Sequence, residues 1–232
     1  METITNLFKV LWAPRKVLSE IAQRPRIIAP LLFLTLFAGA ETAIVLAKLD
    51  PGELRLQEFE RGGYADKISE SDKAIHAAAA RSYRTMLAAF TVTRWVSVVL
   101  ITGGVFYLML AMGRGIPLKP FFAVTAFAFI PGAIRSIAMI GTVLTAEPTT
   151  ETLSRAGAIS PIWLVDPATV SRTLYQALGM MDVITLWILV LLIIGYGFVL
   201  RDRVSTAARV SAVVGAYLLL SFIWVYIIPA MA

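Results

Sequence analysis

The chain contains 232 residues, of which 58% are hydrophobic and only 16% are charged, and its mean hydropathy is +0.77. Soluble domains are about half apolar and carry about a quarter charged residues. Cysteine is absent, which excludes disulfides and thiolate metal sites, and a single histidine, His76, argues against a histidine-based metal centre. The net charge of +6 is compatible with nucleic-acid binding, but in so apolar a chain it favours basic residues that flank membrane helices.

Residues 1–26 are predicted to form an amphipathic segment. Its apolar residues at helical spacing are Ile4, Leu7, Phe8, Leu11 and Trp12. Pro14 interrupts a single helix here, but it suits the first turn of a second helix over residues 15–22. We expect the segment to lie in the cytoplasmic headgroup layer with Trp12 as its anchor, and a helix packed under the bundle is the alternative.

Five apolar stretches are long enough to cross a bilayer. They cover about residues 27–47, 95–112, 121–144, 183–200 and 207–228. Crossing ~30 Å of hydrocarbon takes about 20 residues, and a helix satisfies all of its own backbone groups there. The predicted fold is therefore all-α, a polytopic membrane helix bundle with five transmembrane helices. Ala38-Gly39-Ala40 also resembles a signal-peptidase site, but the apolar run continues to Ala47, which favours an uncleaved span.

Basic residues predict the orientation of these helices. If the chain crosses five times, ten of them lie on one side: Lys9, Arg15, Lys16, Arg24, Arg26, Arg114, Lys119, Arg201, Arg203 and Arg209. The segments on the other side, residues 48–94 and 145–182, are nearly balanced in charge. Lysine and arginine concentrate in cytoplasmic loops, so we predict a cytoplasmic N-terminus, two extracytoplasmic loops and a C-terminus outside. The expected location is the inner (plasma) membrane of the cell.

The two extracytoplasmic loops carry local helix signals. In the first loop, Pro51-Gly52 indicates a break, and the stretch from Ser69 to Asp72 fits a capping box that starts an alanine-rich helix. In the second loop, the apolar run 160–165 is too short to cross the bilayer, and Asp166 resembles a helix N-cap. Both loops are therefore predicted to contain short helices.

No motif in the chain indicates catalysis. Gly113-Arg114-Gly115 lacks the strand–turn–helix context of a phosphate-binding loop. Gly39, Gly195 and Gly197 lie within spans, where glycine permits close helix contact. His76 stands among alanines, which is typical of a solvated helix face. We expect no enzymatic activity, no cofactor and no bound metal.

Four charged residues are predicted to form one layer in the outer half of the bundle. Glu41 and Arg135 each lie 14 residues into a helix that runs outward, about 21 Å from its start. Arg94 and Asp182 begin the two helices that run inward and lie slightly nearer the surface. Charges within a membrane need partners. We predict that Glu41 faces Arg135 in an ionic clasp, and a polar pocket open to the outside is the alternative.

Two groups of residues resemble the prokaryotic members of the Yip1 family. The first group is Trp12-Ala13-Pro14-Arg15-Lys16-Val17-Leu18, followed by Ile21, Arg24-Pro25-Arg26 and Pro30. The second is Met181-Asp182-Val183-Ile184-Thr185-Leu186-Trp187, followed by Gly195. Eukaryotic members of that family act in ER-to-Golgi traffic and bind Rab GTPases through a longer cytosolic N-terminal region. Fewer than 30 residues precede the first span here, and the family's Asp-Leu-Tyr-Gly-Pro signature is missing, so the trafficking role is not implied.

The resemblance implies a non-enzymatic integral membrane protein, acting as a membrane organiser or an accessory subunit. The charged layer supports an alternative, a small transporter or a lipid-binding protein. Under either hypothesis the lipid bilayer is the expected partner, and nucleic acid is not.

Overall fold

Helices are the regular elements throughout the part of the chain that the structure, a computed structural model, describes: residues 2–61, 67–82, 84–146, 156, 160–166 and 169–222. In chain order they are α1 (Glu2–Lys9), α2 (Pro14–Gln23), α3 (Ile28–Lys48), α4 (Pro51–Arg61), α5 (Glu70–Ser82), α6 (Arg84–Leu110), α7 (Leu118–Ala128), α8 (Gly132–Thr145), α9 (Arg172–Met180), α10 (Val183–Leu200) and α11 (Thr206–Phe222). Single 3₁₀ turns cover Pro161–Leu164 and Arg201–Arg203. The predicted all-α class is confirmed.

Four helical stretches are long and apolar enough to cross a membrane. They are Ile28–Lys48, Ala89–Leu110, Leu118–Thr145 and Val183–Leu200. They coincide with the first four predicted spans to within a few residues. Where the fifth span is predicted, Thr206–Phe222 is a shorter apolar helix, and residues 223–228 lie outside the described residues. The fifth crossing therefore stays a prediction.

The third predicted span consists of two helices, α7 and α8, with Pro131 between them. Proline has no amide hydrogen to donate and cannot continue a regular helix. The amides on either side of it make shorter-range bonds: Ile130 donates to the carbonyl of Phe127 (3.2 Å), and Gly132 donates to that of Phe129 (2.8 Å). The chain thus passes through a tight turn within an otherwise apolar stretch.

The chain contacts cluster into two compact units, which are described separately. The first unit contains Met1–Leu34, Val96–Ala133 and Ala158–Ala232. In it, α2 packs against α7 and α10, these two helices pack against each other, and α11 packs against α10. The side chains that α2 buries are Val17, Leu18 and Ile21. The second half of the N-terminal segment is thus part of this core, and the position of the segment relative to a membrane stays a prediction.

A buried aromatic cluster joins α6, α7 and α10 in the first unit. The ring of Tyr196 stacks on that of Phe121 at 5.0 Å and meets that of Phe106 at 5.3 Å. The hydroxyl of Thr125 donates to the carbonyl of Phe121 (2.7 Å). It also lies 2.8 Å from the hydroxyl of Tyr196. Since the hydroxyl hydrogen of Thr125 is already used, the hydroxyl of Tyr196 donates in this contact.

Glycine lets α7 and α10 approach each other closely. A Cβ on Gly195 would lie 2.4 Å from Cγ1 of Val124, well inside van der Waals contact. The prediction of a close contact at Gly195 is confirmed. Gly197 packs against the guanidinium of Arg209. No described atom lies within 4 Å of a Cβ on Gly39, so the close contact expected there stays a prediction. An apolar sequence around a glycine does not reveal which face of its helix meets a neighbour.

The second unit contains Thr35–Trp95 and Ile134–Gly157, and α4 and α5 pack together in it. The helical chain is interrupted at residues 49–50, between α3 and α4, so the predicted break lies within two residues of Pro51. Pro51 itself begins α4, because proline suits the first turn of a helix. The hydroxyl of Ser69 accepts from the amide of Asp72 (3.2 Å) at the start of α5, which confirms the predicted capping. In the first unit, Ser171 caps α9, and Asp166 does not.

An ion pair joins the two ends of this helical pair. Nη2 of Arg81 lies 2.7 Å from Oδ2 of Asp50, and Nε donates to the same carboxylate. Hydrogen bonding and charge attraction from Asp50 raise the pKa of the Arg81 guanidinium, so the pair stays ionised. A cavity of about 460 Å³ lies beside it, lined by Leu46–Pro51 and Arg81. Asp50 offsets one of the two positive charges that line this cavity, those of Lys48 and Arg81.

Candidate functional site

Three of the four residues of the predicted charged layer belong to the second unit. Glu41 lies on α3, Arg94 on α6 and Arg135 on α8, and each is half-buried. The guanidinium of Arg94 lies 5.1 Å from the centre of the Trp95 ring. The contact between Glu41 and Arg135 stays a prediction.

Asp182, the fourth residue, belongs to the first unit and has a local role that the sequence interpretation missed. It is 2% exposed and forms the N-cap of α10. Its Oδ1 accepts from the amide of Thr185 (3.0 Å), and its Oδ2 accepts from the hydroxyl of Thr185 (2.6 Å). The signal was available, because an aspartate directly before an apolar helix is a typical cap.

A second feature near the predicted layer was also missed. The hydroxyls of Thr42 and Thr91 lie 2.9 Å apart and join α3 to α6 in the second unit. Hydrogen bonds between membrane helices are worth roughly 0.6–2 kcal/mol each. This contact pairs two helices one residue after Glu41 and three residues before Arg94.

The most distinctive feature of the first unit is a cavity of about 460 Å³ where three chain segments meet. Its walls come from α2, including Ser19 and Gln23, from the α6–α7 connection, including Gly115, and from the end of α10 with the turn after it, including Arg201 and Arg203. We call it the basic cavity. Of the ten basic residues predicted to be cytoplasmic, Arg201 and Arg203 line the cavity, and Arg15, Lys16 and Arg114 lie on the segments that form its walls. Which side of a membrane they face stays a prediction.

The backbone at the basic cavity has an unusual conformation. Arg201 has φ 51° and ψ −133°, close to the first central position of a type II′ turn, where glycine is preferred. Holding a non-glycine residue there costs about 1–3 kcal/mol. Gly113 (φ 76°) and Gly115 (φ 66°) supply positive φ in the facing connection without strain. A guanidinium nitrogen of Arg203 donates to the carbonyl of Arg114 and thereby ties the two connections together.

A third guanidinium lies behind one wall of the basic cavity. A Cβ on Gly197, a lining residue, would lie 2.8 Å from Nη1 of Arg209. Nη2 of Arg209 donates to the hydroxyl of Thr206 (2.7 Å), whereas its Nε is buried without a hydrogen-bond partner among the described residues. A buried unpaired donor on a charged group is unusual and adds positive potential here.

The surroundings of His76 and the grouping of possible metal ligands are known for the described residues. His76 packs edge-on against the ring of Phe59 at 5.2 Å in the second unit. Across the ranges given for the fold, no three histidine, aspartate or glutamate side chains gather as metal ligands would. The basic cavity, lined by two arginines together with polar and apolar residues, is suited to holding an anion.

Long apolar helices, a packed amphipathic segment and a basic cavity at the connections define a multi-pass helical membrane protein. The Yip1 domain matches residues 8–227, and the chain belongs to the Yip1 family. Comparison with curated proteins and with solved structures found no match.

Proposed function

We propose that this Yip1-family protein is a non-enzymatic membrane organiser or accessory subunit of the inner (plasma) membrane, acting through its N-terminal segment, Glu2–Gln23. The observation that carries the proposal is an apolar stripe held in a fixed orientation. Ile4, Phe8 and Trp12 are 64%, 47% and 68% exposed, whereas Leu7 and Val10 on the other face are buried. An exposed apolar stripe of this kind favours the boundary between headgroups and acyl chains.

The stripe is attached to the bundle at several points. The side-chain amide of Asn6 donates to the carboxylate of Glu20 (3.2 Å), which links α1 to α2. The ring of Phe8 meets that of Phe33 edge-on at 5.6 Å, which links α1 to the start of α3. Burying each large apolar side chain contributes roughly 1.5–3 kcal/mol. Because α1 is held against α2 and α3, the exposed stripe meets lipid or a partner at a defined position on the protein.

The depth of Trp12 tests the placement. We expect a variant that keeps only this tryptophan to be quenched most strongly by lipids brominated near the headgroup, since its side chain is outside the protein core. Quenching only from deep acyl positions, or none at all, would contradict the interfacial position.

A matched pair of variants tests the function. Ile4 and Ile75 are both 64% exposed, but Ile75 lies on α5, outside the N-terminal segment. Each is changed to serine, the proteins are extracted in native-lipid particles, and bound proteins and lipids are identified by mass spectrometry. We expect Ile4→Ser to lose bound components that wild type and Ile75→Ser retain. An unchanged set in Ile4→Ser would refute the proposal.

The second candidate is a small transporter or lipid-binding protein that uses the predicted charged layer. Two observations favour it: the helix break at Pro131, four residues before Arg135, and the hydroxyl contact between Thr42 and Thr91 beside Glu41. Broken helices beside ionisable residues are typical of transport sites. In proteoliposomes this candidate predicts that Glu41→Gln abolishes solute or lipid movement while the protein stays folded. If the charged layer is only an ionic clasp, wild-type protein should move neither solute nor lipid.

A further inference from the structure

We propose that the basic cavity binds the phosphate group of an anionic phospholipid headgroup. This goes beyond the organising role of the N-terminal segment, because the exposed stripe on α1 does not line the cavity. Arg201 and Arg203 line the cavity, and no acidic residue is among the described residues that do so. Glu20 also lies on α2, but it does not line the cavity, and its carboxylate accepts a hydrogen bond from the side-chain amide of Asn6.

The chemistry of the lining fits a phosphate. Guanidinium groups match phosphate oxygens with paired hydrogen bonds, and such charge-assisted bonds are about twice as strong as neutral ones. On the α2 wall the side-chain amide of Gln23 is a neutral donor, whereas the hydroxyl of Ser19 donates to the carbonyl of Lys16 (2.8 Å). A cavity of about 460 Å³ falls within the range of small-molecule sites and is larger than a bare phosphate needs. The additional room suits the glycerol part of a headgroup.

The surroundings favour a lipid over a free phosphate. Phe198 lines the cavity and is 37% exposed, and Leu118, next to lining residue Pro117, is 41% exposed. The cavity therefore has apolar neighbours on its outer side, where the acyl chains of a bound lipid would lie. Basic pockets between membrane helices on the cytoplasmic side are typical headgroup sites.

The strained residue gives the inference a second, independent support. Arg201 keeps a φ of 51° that glycine would adopt without strain. Residues with a strained backbone conformation are concentrated at ligand-binding and active sites. The guanidinium of Arg209 lies behind Gly197, its Nε has no hydrogen-bond partner among the described residues, and its positive charge is one that a bound anion would offset.

The test uses the full chain in detergent and follows bound phosphatidylglycerol by native mass spectrometry. The informative variant is Arg201→Gly, which removes the guanidinium and relieves the backbone strain. We expect its thermal unfolding midpoint without lipid to equal or exceed that of wild type, whereas its affinity for phosphatidylglycerol falls about tenfold or more. Arg203→Gln should weaken binding similarly. The control is Arg15→Gln, an exposed basic residue on α2 outside the cavity, which should keep the wild-type affinity.

Two further ligands, inorganic phosphate and phosphatidylcholine, identify the source of the bound phosphate group. Inorganic phosphate alone, at the concentration at which phosphatidylglycerol saturates the site, should leave the unfolding midpoint unchanged, and phosphatidylcholine should bind more weakly. If inorganic phosphate binds as tightly as the lipid, the site belongs to a soluble phosphate and the lipid proposal is overturned. It is also overturned if Arg201→Gly binds phosphatidylglycerol as well as Arg15→Gln does. Ile4→Ser should bind phosphatidylglycerol with wild-type affinity. The lipid site and the organising role of the N-terminal segment can therefore be refuted independently of each other.

Discussion

Replacing Gly195 by alanine tests the closest helix contact in the first unit. The added Cβ would lie 2.4 Å from Cγ1 of Val124, whereas carbon atoms in contact are about 3.5–4.0 Å apart. A gap of more than about 1 Å must therefore open between α7 and α10. Val124 cannot move aside easily, since it is fully buried and valine has one strongly preferred rotamer in a helix.

The expected loss of stability combines two opposing effects. Overpacking of this kind costs typically 1–3 kcal/mol, and so short a distance points to the upper end. Alanine recovers about 0.8–1 kcal/mol of helix propensity relative to glycine. We therefore expect Gly195→Ala to lower the free energy of unfolding by about 2 kcal/mol. The measurement is unfolding in mixed micelles with increasing SDS, followed by tryptophan fluorescence.

Two further variants make this prediction specific. Gly104 lies on α6, and no described atom is within 4 Å of where its Cβ would be, so Gly104→Ala should be as stable as wild type or more stable. Adding Val124→Ala to Gly195→Ala removes the clashing methyl groups, so the double variant should lose less than the sum of the single losses. If Gly195→Ala is as stable as Gly104→Ala, α7 and α10 do not meet closely at Gly195.

Three other predictions concern orientation, the charged layer and a helix cap. A reporter fused after Ala232 should be active outside the cytoplasm and one inserted near Gly115 inside it, and a cytoplasmic C-terminus would exclude the five-span topology. Glu41→Ala and Arg135→Ala should each destabilise the protein in detergent, and the double variant should lose less stability than the sum of the two single losses. Strictly additive losses would exclude a clasp. Asp182→Ala should lower stability by about 1 kcal/mol through loss of the α10 cap, and unchanged unfolding in SDS would contradict that role.

The class of the protein and the positions of its first four spans could be predicted from the sequence alone. Hydropathy is a local property, and a helix in lipid must satisfy its own backbone, so a long apolar run has one stable conformation. The same reasoning explains why the cap at Ser69 was predicted correctly, because its hydrogen bond reaches only three residues along the chain. The role of Asp182 has an equally local cause and was missed only because its charge was assigned to the predicted layer.

Contacts between distant segments could be decided only by the tertiary structure. Gly195 and Gly39 both lie within apolar helices, yet a Cβ on Gly195 meets Val124, whereas a Cβ on Gly39 meets no described atom within 4 Å. The rotation of a helix about its axis depends on which helix lies beside it, so local sequence does not decide such contacts.

The basic cavity is the clearest case of a feature that needs the fold. The sequence predicts that its three basic segments share one side of the membrane, since counting the crossings places them there. It does not predict that Arg201 and Gln23, far apart in the chain, line one space, or that Arg203 bonds to the carbonyl of Arg114. Those contacts depend on α2 packing against both α7 and α10, and on a backbone angle at Arg201 that no local preference of arginine favours.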